Sequence, residues 1–252
     1  DRTIEYFENI KKTEPERIPK FLWNAKMRFG KTFASYQLAK KMNWQRILVL
    51  TFKPAVQDAW EEDLNCHKDF DGWQFICNKG KKKEECLLEV EHLNLSKPIV
   101  CFGSFQDFLG KNKDGGIKTK NEWVHTINWD CVILDEYHFG SWRENAKELF
   151  EAESKKEQEY GEGEGLDYFD EDIMPITTKH YLYLSGTPFR AINSGEFIED
   201  QIFNWTYSDE QRAKENWKGD KNPYASLPRM VMMTYQLPDT IREVALQGEF
   251  DE

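Results

Sequence analysis

The sequence predicts an α/β fold, a mostly parallel sheet covered by helices on both faces. Three observations carry that prediction. Short β-branched or aliphatic runs alternate with helix-forming stretches along most of the chain, the pattern of parallel strands joined by crossover helices. A Gly-Lys-Thr triplet at Gly30, Lys31 and Thr32 closes the first apolar run and opens the first helix. A later apolar run ends in paired carboxylates, Asp135 and Glu136, at the strand end where open α/β sheets bind ligands.

In chain order, residues 21–24 read as a first strand and 31–42 as the helix after it. Residues 46–52 (Arg-Ile-Leu-Val-Leu-Thr-Phe) form an apolar run of strand length, followed by a helix over 55–64. Residues 73–77, 99–103, 131–135 and 181–185 supply further strands, each short and bounded enough to be buried sheet rather than helix. Residues 145–160 have helix-forming composition until Gly161, Gly163 and Gly165 break it, which predicts a helix running into a solvated acidic loop, an insertion near 150–173. After Thr187-Pro188 the periodicity weakens, and residues 230–236 read as one more strand. The expected domains are 1–195, carrying the sheet, and an extension over 196–252.

Composition narrows the function. Hydrophobic residues at 39% beside charged residues at 31% make a globular balance. A formal net charge of −11 argues against coating nucleic acid by bulk electrostatics, so any polynucleotide contact is local. Much of the acid lies between Glu144 and Asp172, which leaves the remaining surface nearer neutral. Five cysteines without a signal-peptide pattern suggest reduced thiols and a cytoplasmic location. Cys66, His67, Cys77 and Cys86 lack the C-x-x-C pairs that would hold zinc. No apolar run approaches the roughly 18 residues needed to span a bilayer. The chain starts without Met and stops at Phe-Asp-Glu, which reads as a segment of a longer protein.

Ala25-Lys26-Met27-Arg28-Phe29-Gly30-Lys31-Thr32 matches the phosphate-loop pattern G-x-x-x-x-G-K-[ST], with Ala25 in place of the first glycine. The chemistry needs successive backbone N–H groups at a helix N-terminus, and Gly30 permits the tight path. The loop and first turn, Arg28, Phe29, Gly30, Lys31, Thr32 and Phe33, are the candidate ATP contacts. Lys31 would reach the β/γ oxygens, and the Thr32 hydroxyl would ligate Mg²⁺. Asp135 would hold Mg²⁺ from the second strand end, while Glu136 would orient and deprotonate the attacking water. Taken alone, Gly-Lys-Thr is compatible with a surface turn and Asp-Glu with an acidic helix start; together in one chain they point to one site.

Asp135-Glu136-Tyr137-His138 resembles the D-E-x-H box of superfamily 2 helicases, and Ser185-Gly186-Thr187-Pro188 resembles their third motif. Leu50-Thr51-Phe52-Lys53-Pro54 is similar to motif Ia, and Gly103-Ser104-Phe105 to a later strand-end contact with the nucleic-acid backbone. Residues 23–32 look like the motor subunits of bacterial restriction enzymes and related phage or mobile-element helicases. The resemblance covers roughly residues 20–190. It implies a RecA-like three-layer αβα sandwich as first motor domain, and ATP hydrolysis coupled to movement along DNA or RNA, with DNA the favoured partner. It also implies a second RecA-like domain closing over the nucleotide, and nuclease, methylase or specificity partners. Lys31, Asp135 and Glu136 would be catalytic. His138, Ser185, Gly186 and Thr187 would couple the nucleotide to the nucleic acid, and Thr51, Phe52, Lys53, Gly103 and Ser104 would touch its backbone.

The segment before Trp23 offers no match to the family's adenine-reading glutamine, and nothing after Pro188 resembles the arginine motif of the second domain. An arginine finger contributes about 10³ to 10⁵ in rate, so the chain alone should bind nucleotide better than it hydrolyses it. Lys79-Gly80-Lys81-Lys82-Lys83 is the dense basic run, more often a solvated turn than a DNA contact. Two other classes fit parts of the pattern, a nucleotide-dependent regulatory module and a phosphotransferase. Ser185-Gly186-Thr187-Pro188 has no evident job in the latter.

Overall fold

The computed structural model describes residues 1–52, 54–77, 81–108, 119–137, 176–186 and 196–228. The expected helix at 145–160, the acidic insertion and the strand at 230–236 lie outside them, as do Lys53, Lys79, Gly80, His138, Thr187 and Pro188.

Seven strands among the described residues make one sheet in the order β3-β4-β2-β5-β6-β1-β7. They are β1 (Lys20–Ala25), β2 (Arg46–Thr51), β3 (Gln74–Cys77), β4 (Ile99–Ser104), β5 (Cys131–Asp135), β6 (Tyr181–Ser185) and β7 (Ile202–Trp205). Every pairing is parallel. The helices of this part are α1 (Arg2–Thr13), α2 (Lys31–Lys41), α3 (Gln57–Cys66), α4 (Lys83–Glu91), α5 (Phe105–Phe108) and α6 (Glu122–Thr126).

Strand alternation sorts the core into two layers. Phe21, Trp23, Ile47, Val49, Cys131, Ile133, Leu182 and Leu184 face one side, against Phe7 of α1, Tyr36 and Leu38 of α2, and Trp60 and Leu64 of α3. Their neighbours Leu22, Leu48, Leu50, Val132, Leu134, Tyr181 and Tyr183 face the other, against Phe105 and Phe108 of α5 and Val124 of α6. Burial on both faces is why these strands read as continuous apolar runs. The result is the three-layer αβα, RecA-like class that the sequence predicts.

Several elements were not expected, among them α1, α4, α5, α6 and β7. α1 buries Phe7 and Ile10, and its Thr3 Oγ1 accepts the Trp23 indole N–H at 2.9 Å in the interior. α4 buries Cys86. β7 pairs with β1 from Leu22↔Ile202 to Ala25↔Trp205, so the sheet extends past residue 195, where the first domain was expected to end. Its polar, aromatic sequence, Ile-Phe-Asn-Trp, suits an edge strand with one open side.

The chain divides into two compact units, Asp1–Thr206 and Tyr207–Glu252. In the second, α7 (Tyr207–Glu215) is followed by turns that fold back on it, with Lys214 Nζ donating to Leu227 O at 2.7 Å and Asn222 Nδ2 to Lys214 O at 2.8 Å.

Candidate nucleotide site

The carboxyl ends of β1, β5 and β6 bring the sharpest motifs to one edge of the sheet. β6 alone lies between β1 and β5, a separation of about 10 Å at ordinary strand spacing. The register Asn24↔Ser185 and Thr51↔Asp135 sets these ends at matching heights.

After Ala25 the chain turns sharply. Phe29 N donates to Lys26 O at 3.2 Å, and Arg28 takes a φ of 65°. Gly30 then caps α2 with φ 82°, in the left-handed region that a glycine enters without steric cost. A glycine cap brings no side chain to the first turn of α2. Lys31 arches back over the loop, its Nζ donating to Ala25 O at 3.1 Å, and Thr32 follows in the same turn. The ring of Phe29 packs against Phe203 and Trp205 of β7, and that of Phe33 against His67 and Phe70. Both aromatic side chains therefore serve packing, and what these positions offer a ligand is backbone. Burial and the neighbouring Glu62 raise the Asp63 carboxyl above its ordinary value, and the nearby Phe33 backbone opposes the rise.

At the end of β5, Asp135 is 6% exposed. Its Oδ2 accepts the Trp60 indole N–H at 2.8 Å, and its Oδ1 accepts the Glu136 backbone N–H at 2.8 Å. Burial pushes the carboxyl up from its ordinary value; the two N–H donors oppose the rise, Glu136 adds to it and Lys31 counters it. Lys31 is thus close enough to feel Asp135 electrostatically. Glu136 leaves the strand with φ 54°, a conformation that costs a non-glycine residue roughly 1 kcal/mol or more. Tyr137 N returns to the sheet through Leu184 O at 2.8 Å.

Trp60 is the residue that sequence reasoning missed. It lies 75 positions from Asp135, and no local pattern marks a tryptophan in α3 as a partner of a carboxylate in β5.

Among the coupling candidates, Ser185 is buried, and Gly186 is exposed with Ala25 O beside it. Of the candidate backbone contacts, Thr51 and Gly103 are buried. Ser104 is half-buried and its Oγ accepts Asp107 N at 3.1 Å, starting α5. Phe52 is half-buried against Phe105, ring centroids 4.8 Å apart. Ser104 and Phe52 already serve local structure, which explains them without a ligand.

Among the described residues no helix is long and apolar enough to cross a membrane. No protein-family model matches the chain. Among the solved structures that resemble it are a Sulfolobus solfataricus SWI2/SNF2 ATPase core in complex with double-stranded DNA and the same core domain described without DNA. Identities are 16% and 15% and TM-scores 0.41 and 0.39, covering 74% and 75% of this chain and 31% of each of those. A Mycoplasma pneumoniae protein described as the C-terminal part of a type II restriction enzyme and methyltransferase is 32% identical over 94% of the chain. The chain spans about a third of that relative's length (35%). It is thus similar in sequence to part of a restriction-modification protein, in agreement with the narrower kinship that residues 23–32 suggest.

Proposed function

We propose that this chain is the ATP-binding first motor domain of a nucleic-acid-dependent ATPase, a helicase or DNA translocase within a restriction-modification protein. The observation that carries the reading is the convergence of Lys31 and Asp135-Glu136 at one sheet edge, one strand apart, with Lys31 felt electrostatically by Asp135. A cation, a strand-end carboxylate pair and a helix N-terminus on a glycine cap form the constellation that binds and cleaves a nucleoside triphosphate.

Gly30 and the first turn of α2 present amides to the phosphates, and Lys31 swings from Ala25 O to their oxygens. Asp135 fits a Mg²⁺ role, because its two N–H partners leave lone pairs on both oxygens. Thr32 and Asp135 would hold the ion, which when bound neutralises charge on the phosphates. Glu136 holds a water for attack and takes its proton. Ser185, Gly186, Thr187 and His138 relay the state of the nucleotide to DNA held at the ends of β2 and β4. A second RecA-like domain outside this chain completes the site, with nuclease, methylase or specificity segments as further partners.

Calorimetric titration with a non-hydrolysable ATP analogue and Mg²⁺ tests the reading. Saturable binding by the chain, lost in Lys31→Ala, is expected. Binding that survives Lys31→Ala unchanged would sink it. Hydrolysis stimulated by duplex DNA in the longer protein distinguishes a motor from a regulatory module.

A further inference from the structure

Trp60 sits in α3, fully buried, with its indole N–H on the carboxylate that the proposed site uses for its metal. Its setting is firmly built. Tyr36 Oη donates to Trp60 O at 2.8 Å, and the two rings meet edge to face at 90° with centroids 5.4 Å apart. Tyr36 belongs to α2, the helix that the phosphate loop opens.

The chemistry of the donor matters. A buried carboxylate needs hydrogen-bond partners, but an Arg or Lys in that place would neutralise it and compete with a cation. An indole donates one N–H and carries no charge. With Trp60 on Oδ2 and the Glu136 amide on Oδ1, one donor on each oxygen fixes the carboxylate's orientation while its negative charge stays available. We propose that Trp60 is a positioning residue for the metal, holding the Asp135 carboxylate in the orientation in which it binds Mg²⁺ with the nucleotide. The α2–α3 contact through Tyr36 sets the indole, so the same packing ties the phosphate loop to the metal carboxylate. This rests on the reading of Asp135 as a metal-holding residue.

The test measures Mn²⁺ affinity by electron paramagnetic resonance, in the presence of a non-hydrolysable ATP analogue, for the full 252-residue chain. Three forms are compared with the unaltered protein. They are Trp60→Phe, Asp135→Asn, and a chain whose Trp60 alone is replaced by 3-benzothienylalanine, which keeps the ring shape and replaces the N–H with sulfur. The expected result is a loss of about 10-fold or more in Mn²⁺ affinity for both Trp60 replacements, as for other groups that orient a metal ligand. Metal-free nucleotide affinity, which depends on Lys31, stays near that of the unaltered chain. Should Trp60→Phe fail to fold, the benzothienyl chain decides. Unchanged Mn²⁺ affinity there, beside a loss in Asp135→Asn, overturns the positioning role and leaves the metal site standing. Unchanged affinity in Asp135→Asn overturns the metal site and the positioning role together.

Discussion

The ring of Phe108 fills the space where a side chain at Gly103 would begin. Phe108 is 1% exposed and Gly103 lies in the buried strand β4, so the ring has nowhere to retreat. Gly103→Ala should destabilise the protein by about 1–3 kcal/mol through overpacking. The measurement is the urea midpoint, and Gly103→Ala with Phe108→Leu should recover part of the loss. No change in midpoint for the single substitution would mean that the ring does not pack there, reopening position 103 as a contact for nucleic acid.

Glu136→Gln should leave nucleotide binding intact and abolish turnover in the longer protein. The left-handed backbone at 136 is kept by both side chains, so thermal stability should hardly move. Single-turnover hydrolysis beside calorimetric binding checks this. Hydrolysis at the unaltered rate would remove Glu136 from its role as base.

Thr3→Val should cost about 1–3 kcal/mol, because it leaves the Trp23 indole N–H buried without its 2.9 Å acceptor. Hydrogen exchange would show α1 losing protection ahead of β1. Uniform loss across both would indicate that α1 is bound cooperatively into the sheet.

Acid should destabilise this fold in two windows. Burial lowers the pKa of His180, whose ring packs on Phe7 and Trp44, although its bond to Asp130 O opposes this. Asp130 is raised by burial, but its bonds from Lys179 and from the backbone N–H groups of Gln45 and Arg46 outweigh that, and its pKa is lowered overall. Both folded-state values lie below the unfolded ones, so the folded protein binds fewer protons. The stability is fully present above the unfolded pKa, about 6.5 for His and about 3.9 for Asp, and is lost as pH falls below each toward the folded value. Denaturant midpoints between pH 8 and 3 are the check. His180→Phe should flatten the upper window, and Asp130→Asn the lower one.

The turn through Gly30 into α2 and the strand end at Asp135 were legible because each is a local pattern, an apolar run followed by a short polar motif. The strands at 46–52, 99–103, 131–135 and 181–185 were legible for the same reason, since burial on both faces removes polar residues from the run. β7 was not, because an edge strand keeps Asn204 and two half-exposed aromatics and loses that signature. The N-terminal helix lacks that signature too, since only Thr3, Phe7 and Ile10 of its residues are buried.

By itself, then, the sequence determined the fold class and picked out the two motifs proposed to hold a triphosphate, because periodicity and strand-end chemistry are written in neighbouring residues. Only the tertiary structure decided which residues contact those motifs from a distance and which candidates are already occupied. Trp60 reaches Asp135 across 75 positions, Thr3 receives Trp23, and Phe108 fills the space beside Gly103. These contacts depend on how helices settle on the two faces of the sheet, where close packing and the need to satisfy buried polar atoms choose partners that no spacing along the chain specifies.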